Sequence, residues 1–465
     1  MGGNPSNLGM KTQYGYFAPR LGVSYRLTDN TVVRAGFGIS YVPFPDNGYA
    51  YNYPIRANNA YNPTGSSPYT PAVLADGVTV ATFQAGFPAP VAIPIPSNGI
   101  INVSGNSLLN SSSFFYIPPT FKNPYADSWN VAVERAFRGN FSLQVAYVAN
   151  HGTHMSSGQN INDPNTFDGG AASDPEDATF GRTASTTEYY LGFSSNYTAL
   201  QTQLTERASH GLTFMSAFTW GKGLNYISDP DGGVQFFTNF RRNYGPDDQD
   251  RKTNFEQTMT YDLPLGKGHE FLNSKVGDAI LGGWKLTGLV SVVSGLPLTI
   301  TASGNSLNTP GTTQTASLLT KWSTTHHVGS SSPWFDTNST IPGTWGQPTG
   351  CTGATPGSLS GGVYTPSTCT SPGLGNTGRG QFRGPGYIQD NASIFKKFAV
   401  YRETAVEVRV DAFQLSNTPQ FANPNASGVT AASFGTVTGT VGSGQGAVNG
   451  VGGGRVLEGS FKFTF

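Results

Sequence analysis

The links between this chain's alternating-polarity segments are by turns very short and very long, a pattern that few folds tolerate. Such segments lie near 14–26, 31–42, 127–137, 140–150, 196–208, 211–225, 251–263, 284–295, 388–398, 404–416 and 455–465. In the clearest of them, Val406, Val408 and Val410 alternate with Glu407, Arg409 and Asp411. A period of two puts the valines on one face of a strand and the charges on the other. Val33, Ala35, Phe37, Ile39 and Tyr41 alternate likewise with Val32, Arg34, Gly36, Gly38 and Ser40. Thr28-Asp29-Asn30, Arg138-Gly139, Ser209-His210-Gly211 and Tyr401-Arg402 form tight turns between segments. The other links, about 43–126, 151–195, 226–250, 296–387 and 417–454, run from about 25 to about 90 residues.

Soluble domains rarely carry unstructured loops beyond about 15 residues, whereas outer-membrane barrels put short turns on one side and long loops on the other. The pattern predicts an all-β, antiparallel up-and-down transmembrane β-barrel fold of about eleven strands with long extracellular loops. The segment 264–283 is an exception, a longer link on the short side that starts Leu-Pro-Leu-Gly-Lys-Gly. Eleven antiparallel strands cannot close on themselves, and transporter barrels have about 22, so residues 1–465 read as the carboxyl-terminal half of such a barrel.

The composition fits. Charged residues are 12% of the chain, about half the usual share, while Gly (60), Phe (30) and Tyr (21) are abundant. No apolar run reaches the roughly 18 residues of a membrane helix, which leaves barrel strands open. A net charge of zero offers no basic face for nucleic acid. Phe461, Phe463 and Phe465 form an alternating strand that ends on an aromatic residue, like the signature that outer-membrane proteins show their barrel assembly machinery.

Several blocks resemble the Oar-like TonB-dependent receptors, in consistent order along the whole chain. They include Tyr16-Phe17-Ala18-Pro19-Arg20, Asn123-Pro124-Tyr125, Tyr147 through His154, Phe218-Thr219-Trp220-Gly221-Lys222, Leu281-Gly282-Gly283-Trp284 and Ala412 through Asn417. The resemblance implies a receptor and transporter barrel in outer-membrane lipid, taking up a nutrient by work that the TonB motor delivers through a plug. No plug or regulatory-like domain is recognisable in the chain, so an amino-terminal barrel half and plug are expected as partners. An outer-membrane barrel for binding or adhesion without transport is the alternative, and a secreted soluble β-sandwich or propeller enzyme is a further rival.

Strand parity makes Arg34, Glu134, Arg207, Glu407, Arg409 and Asp411 lumen-facing candidates for contact with plug or solute. Trp129, Trp220, Trp284, Tyr41, Phe137 and Phe141 lie near strand ends, as interfacial girdles require. Cys351 and Cys369, the two cysteines, read as a disulfide closing the longest loop, with free thiols or a metal pair as the alternative. His151 with His154, and His326 with His327, read as structural. Asp229-Pro230-Asp231 and Asp247-Asp248-Gln249-Asp250 have carboxylates spaced for a hard cation but lack the rest of a calcium loop, so solvated acid is the reading. Gly442-Ser443-Gly444-Gln445-Gly446 reads as a flexible loop, since no helix or lysine follows. No catalytic constellation, cofactor site or metal site emerges, and no enzyme is expected.

Overall fold

The fold is described from a computed structural model. It covers residues 11–43, 113–164, 166–209, 211–228, 239–266, 280–302, 307–309, 313–335, 344–361, 363–401, 403–441 and 454–465, with 55–56 and the single positions 80, 82, 84, 97, 236, 271 and 278.

Eleven strands form one continuous antiparallel meander: β1 (Arg20–Thr28), β2 (Thr31–Tyr41), β3 (Tyr125–Ala136), β4 (Phe141–Asn160), β5 (Thr186–Ser209), β6 (Leu212–Asn225), β7 (Thr253–Asp262), β8 (Trp284–Val293), β9 (Tyr387–Tyr401), β10 (Thr404–Phe413) and β11 (Val456–Thr464). Each pairs with its neighbours in sequence, and β1 and β11 are the two edges. The tight turn after β3 uses Gly139 and Asn140 at φ 82° and 63°. That left-handed geometry suits the right-handed twist of a hairpin and is open to Gly and Asn.

Register makes the two faces explicit. One row of cross-strand partners runs Tyr25, Val33, Val133, Val145, Thr202, Phe218, Phe255, Val292 and Ile388 from β1 to β9. The adjacent row runs Ser24, Arg34, Ala132, Ala146, Gln201, Thr219, Asn254, Val293 and Tyr387. One face is therefore apolar and the other polar or small-residue. Among the described residues no second layer covers the apolar side chains: Val133 is 43% exposed and Trp220 54%. The charges on that face sit towards strand ends, at Asp127, Arg135, Glu206, Lys222 and Asp390, and at Lys396 opposite the first residue of β8. Lys396 is drawn to the backbone oxygen of Asp278 (3.2 Å) and lies over the Phe398 ring. Tyr125 at one end of β3 and Phe137 just past the other are separated by the strand's twelve residue steps, about 40 Å, or about 30 Å in height at the ~40° tilt of a barrel. That height brackets an apolar band of about 25 Å.

Two boundaries differ from expectation. β1 begins at Arg20 and not near 14, because Pro19 has no N–H to pair; its carbonyl accepts from Ile39 N at 3.1 Å and the ladder starts beside it. β4 and β5 run ten or more residues past their expected ends, so much of the link expected at 151–195 is strand. Their pairing continues through two register shifts, Thr153/Met155 and Met155/Ser157, down to Asn160↔Thr187. Bulges absorb the break in alternation that ended the period-two reading there. Ser113–Tyr116 adds a short parallel pairing, Phe114↔Thr186, to the same extension.

The principal buried core lies in the links, not against the sheet. Leu298, Ile300, Ala316, Trp334, Phe335, Trp345 and Phe382 come from the 296–387 link; Val429, Phe434 and Val437 come from the 417–454 link. The Phe335 and Phe434 rings meet edge to face at 5.2 Å, as do Trp345 and Phe382. Short pairings, Pro297–Leu298 with Phe382–Arg383 and Ser317–Leu318 with Trp345–Gly346, satisfy the backbone inside it. Cys351 and Cys369 are joined by a disulfide across 18 residues at the side of this unit, a closure worth roughly 3 kcal/mol by loop entropy.

A Trp345→Ala substitution is expected to loosen this loop core by about 3–5 kcal/mol while leaving the sheet intact. Limited proteolysis of folded protein should cut faster between 344 and 383, with the heat-modifiable gel migration of the sheet unchanged. Equal cleavage in parent and variant would show that the cluster does not hold the loops.

Candidate functional site

The six parity-selected charges do not converge on one place. Arg34 and Glu134 form an ion pair across β2 and β3 on the polar face. Arg409 and Asp411 share that face on β10, where Arg409 Nε donates to both Asp411 oxygens at 2.8 and 2.9 Å and Nη2 to Ser393 Oγ at 3.1 Å. Glu407 stands in register with Lys397 and Lys462. Arg207 lies near the end of β5, exposed, beside the Arg138–Asn140 turn, with its N–H on Asn140 O. Phe461 and Phe463 lie on the edge strand and Phe465 at the chain end, all exposed. Arg34–Glu134 joins neighbouring strands, and Arg409 and Asp411, both on β10, reach β9 through Ser393.

The denser constellation is at the long-link end of β5–β8. A cavity of about 440 Å³ opens there between the polar face and the 226–250 link. Its wall is Gln201, Thr219 and Asn254, three consecutive partners in one register row, with Asn150 and its partner Tyr197 two same-face steps nearer the rim, past Ala199 and Gly221. Gly221 makes room: a Cβ there would stand 3.1 Å from the Tyr197 hydroxyl. Asp247, Asp250 and Arg251 form the rim.

The rim charges are spoken for by the fold. Asp250 is buried, accepts from Gly223 N at 2.7 Å and pairs with Arg383. Asp247 accepts from the Asn225 amide and from Gln249 N at 2.8 Å. Arg251 donates to Ser294 O and lies over the Tyr387 ring. Beside them Arg379, 4% exposed, donates through Nη1 to Asn225 O, Asn225 Oδ1 and Asn243 O, and through Nη2 to Ser228 Oγ and Asp248. Gly245 admits this contact, since a Cβ there would lie 2.5 Å from Arg379 O. Asp248, its side chain still 61% exposed, and buried Asp250 therefore take Arg379 and Arg383 and join the 296–387 link to β6 and β7; of the run read as solvated acid, Asp250 is the member withdrawn from solvent. Sequence reasoning overlooked Arg379 and Arg383. The available signal was Gly378-Arg379-Gly380, a charge flanked by glycines in a long link with few charges.

His151 Nδ1 meets Asn196 Oδ1 at 2.7 Å, His154 sits at φ 57° near the Tyr125 ring, and His326 Nε2 meets Thr324 Oγ1 at 3.0 Å against Trp334. Among the described residues no three His, Cys, Asp or Glu side chains cluster as a metal would need. Asp229–Gly233 and Gly442–Gly446 lie outside the described residues.

A second titratable feature lies in the 161–185 link. Asp174 precedes α1 (Pro175–Phe180), and its carboxyl is pushed up to about 7, first by burial and then by the charges of Asp163 and Asp177. Asp163 is also raised by burial, opposed by its bond from Asn160. An unfolded Asp titrates near ~3.9, so between about pH 4 and 7 the folded link holds a proton that the unfolded one lacks. This contribution is full at low pH and lost as pH rises through about 7. Amide exchange of Pro175–Phe180, corrected for intrinsic rate, is expected to be faster at about pH 8 than at about pH 5.5, and Asp174→Asn should flatten the difference. Equal protection at both values in the parent chain would contradict it.

Comparison with known proteins adds the family. The model of the outer membrane beta barrel domain matches residues 1–456. Similar solved structures include the outer membrane transporter YddB from Escherichia coli, at 8% identity and a TM-score of 0.43, covering 96% of this chain and 40% of that one. The siderophore receptor PiuA from Acinetobacter baumannii has 8% identity and a TM-score of 0.38 over 96% and 35%. The pyoverdine receptor FpvA from Pseudomonas aeruginosa has 8% and 0.40 over 97% and 36%. This chain thus spans between about a third and two fifths of the length of those receptors. No curated protein sequence matches it. With the family match running over nearly the whole chain and the meander carrying an uncovered apolar face, the chain belongs to the outer membrane beta barrel domain family and resides in the outer membrane.

Proposed function

We propose that this chain is the receptor wall of a TonB-energised outer-membrane transporter for a large or scarce nutrient. The observation that carries the reading is the continuous polar face of the meander, capped at one end by loops that Arg379 and Arg383 anchor to it. A face lined by Arg34, Glu134, Arg207, Glu407, Arg409 and Asp411 suits a wet lumen in contact with solute and plug. The sequence blocks shared with Oar-like receptors support the same reading.

Strand parity supports a further wall of the barrel. β1 and β11 are both odd members of a strict meander and run in the same direction, so joining them would make a parallel seam. Two copies related by a rotation about the barrel axis would meet in the same parallel way. Antiparallel closure requires an odd number of further strands from elsewhere. We assign these to an amino-terminal barrel half with its plug, through which the TonB motor would act. Phe461, Phe463 and Phe465 would present the edge strand to the assembly machinery, and the disulfide would brace the outermost loop.

A binding or adhesion barrel is the second reading, favoured by the packed core within the loops, which offers a fixed outer surface. Deleting the gene and measuring cell accumulation of ferric chelates, vitamin-sized macrocycles and oligosaccharides, with and without a protonophore, separates the two. Transport predicts loss of the protonophore-sensitive accumulation of at least one class. If deletion leaves every accumulation unchanged and only surface attachment falls, adhesion is the function.

A further inference from the structure

We infer that the cavity at the long-link end of β5–β7 is a binding subsite for a neutral, hydroxyl-rich ligand, a short oligosaccharide, an assignment that rests on the transport reading and names its cargo class. The wall offers amides and a hydroxyl in line: Gln201, Thr219 and Asn254 are successive cross-strand partners, so their side chains stand about 4.5–5.5 Å apart on one face. Such a ladder of paired donors and acceptors matches vicinal hydroxyls, each of which both donates and accepts. Asn254 lines this wall, and its Oδ1 is a buried acceptor that the protein itself leaves without a hydrogen-bond partner. Tyr197, 38% exposed, adds an aromatic ring at the rim, held there by the absence of a side chain at Gly221. An apolar ring flanked by amides suits a sugar, which has C–H faces and a hydroxyl edge.

The charges argue against an anion. Asp247, Asp250 and Arg251 sum to a formal charge of −1 (two carboxylates, one guanidinium), and each is already engaged by Asn225, Arg383 or Ser294. No side chain of the wall is left to neutralise a carboxylate- or phosphate-bearing ligand, and the lining would repel one. The volume, about 440 Å³, lies within the ~300–1,000 Å³ of small-molecule sites.

The test is equilibrium dialysis of outer-membrane vesicles carrying the full chain against radiolabelled maltotriose, chitotriose, xylotriose and ferric citrate. The inference expects saturable retention of at least one trisaccharide and none of ferric citrate. Asn254→Leu should weaken that retention about tenfold or more, the factor for one lost hydrogen bond of ~1.4 kcal/mol. Gln201→Ala, on an exposed wall position where folding is undisturbed, should weaken it as well, and Gln144→Ala at the turn end of the same face should not. Heat-modifiable migration reports folding of each variant. Retention of ferric citrate but no trisaccharide, or trisaccharide affinity indifferent to both wall substitutions, overturns the inference. Wall-dependent binding without energised accumulation supports the subsite while sinking the transport reading, so the two fail separately.

Discussion

Hydrocarbon offers a peptide group no hydrogen bond, and that constraint organises everything else in this molecule. Each unsatisfied N–H or C=O in lipid costs several kcal/mol, so a chain that crosses as strands must pair them laterally without a break. The meander does this from β1 to β11, every strand bonded to its neighbours in sequence. With the backbone satisfied, side chains are free to divide by face: the Tyr25-to-Ile388 row largely apolar, the Ser24-to-Tyr387 row largely polar or small. The same constraint bears on the two edge strands, β1 and β11, which run in the same direction.

Since the sheet spends its apolar side chains on its surroundings, the loops need a core of their own. They have one, built from aromatic residues of two links far apart in sequence and closed at the side by Cys351–Cys369. Arg379 and Arg383 then join that unit to strand ends through Asn225, Asp248 and Asp250. A buried guanidinium tolerates this position because all its bonds end on oxygen atoms, four of them neutral and one a carboxylate. Rigid loops standing above a polar wall convert a mere surface into a cavity of definite shape.

The strands were legible because a half-exposed strand imposes a period of two, as in Val406–Asp411, and because tight turns such as Arg138-Gly139 bound them. The tall ends of β4 and β5 were not legible: bulges at Thr153–Ser157 break the alternation while the hydrogen-bond ladder goes on. Parity alone could not reveal that Arg34 pairs with Glu134 and Arg409 with Asp411, while Glu407 stands in register with Lys397 and Lys462. The amide wall was invisible for a different reason. Gln201, Thr219 and Asn254 are ordinary polar strand residues until register sets them side by side, and register between strands is a property of the fold, not of any one segment. The arginine anchor likewise joins residues more than 130 positions apart.

The account stands or falls on which face of the sheet touches lipid. Spin labels placed singly at 129 to 134 on β3, in the full chain within native outer-membrane vesicles, would measure this through their accessibility to oxygen and to a water-soluble nickel chelate. Positions 129, 131 and 133 should favour oxygen, and 130, 132 and 134 the chelate, in strict alternation. Labels at Val131 and Val133 that meet the chelate, or are shielded from both reagents inside a protein core, would contradict it.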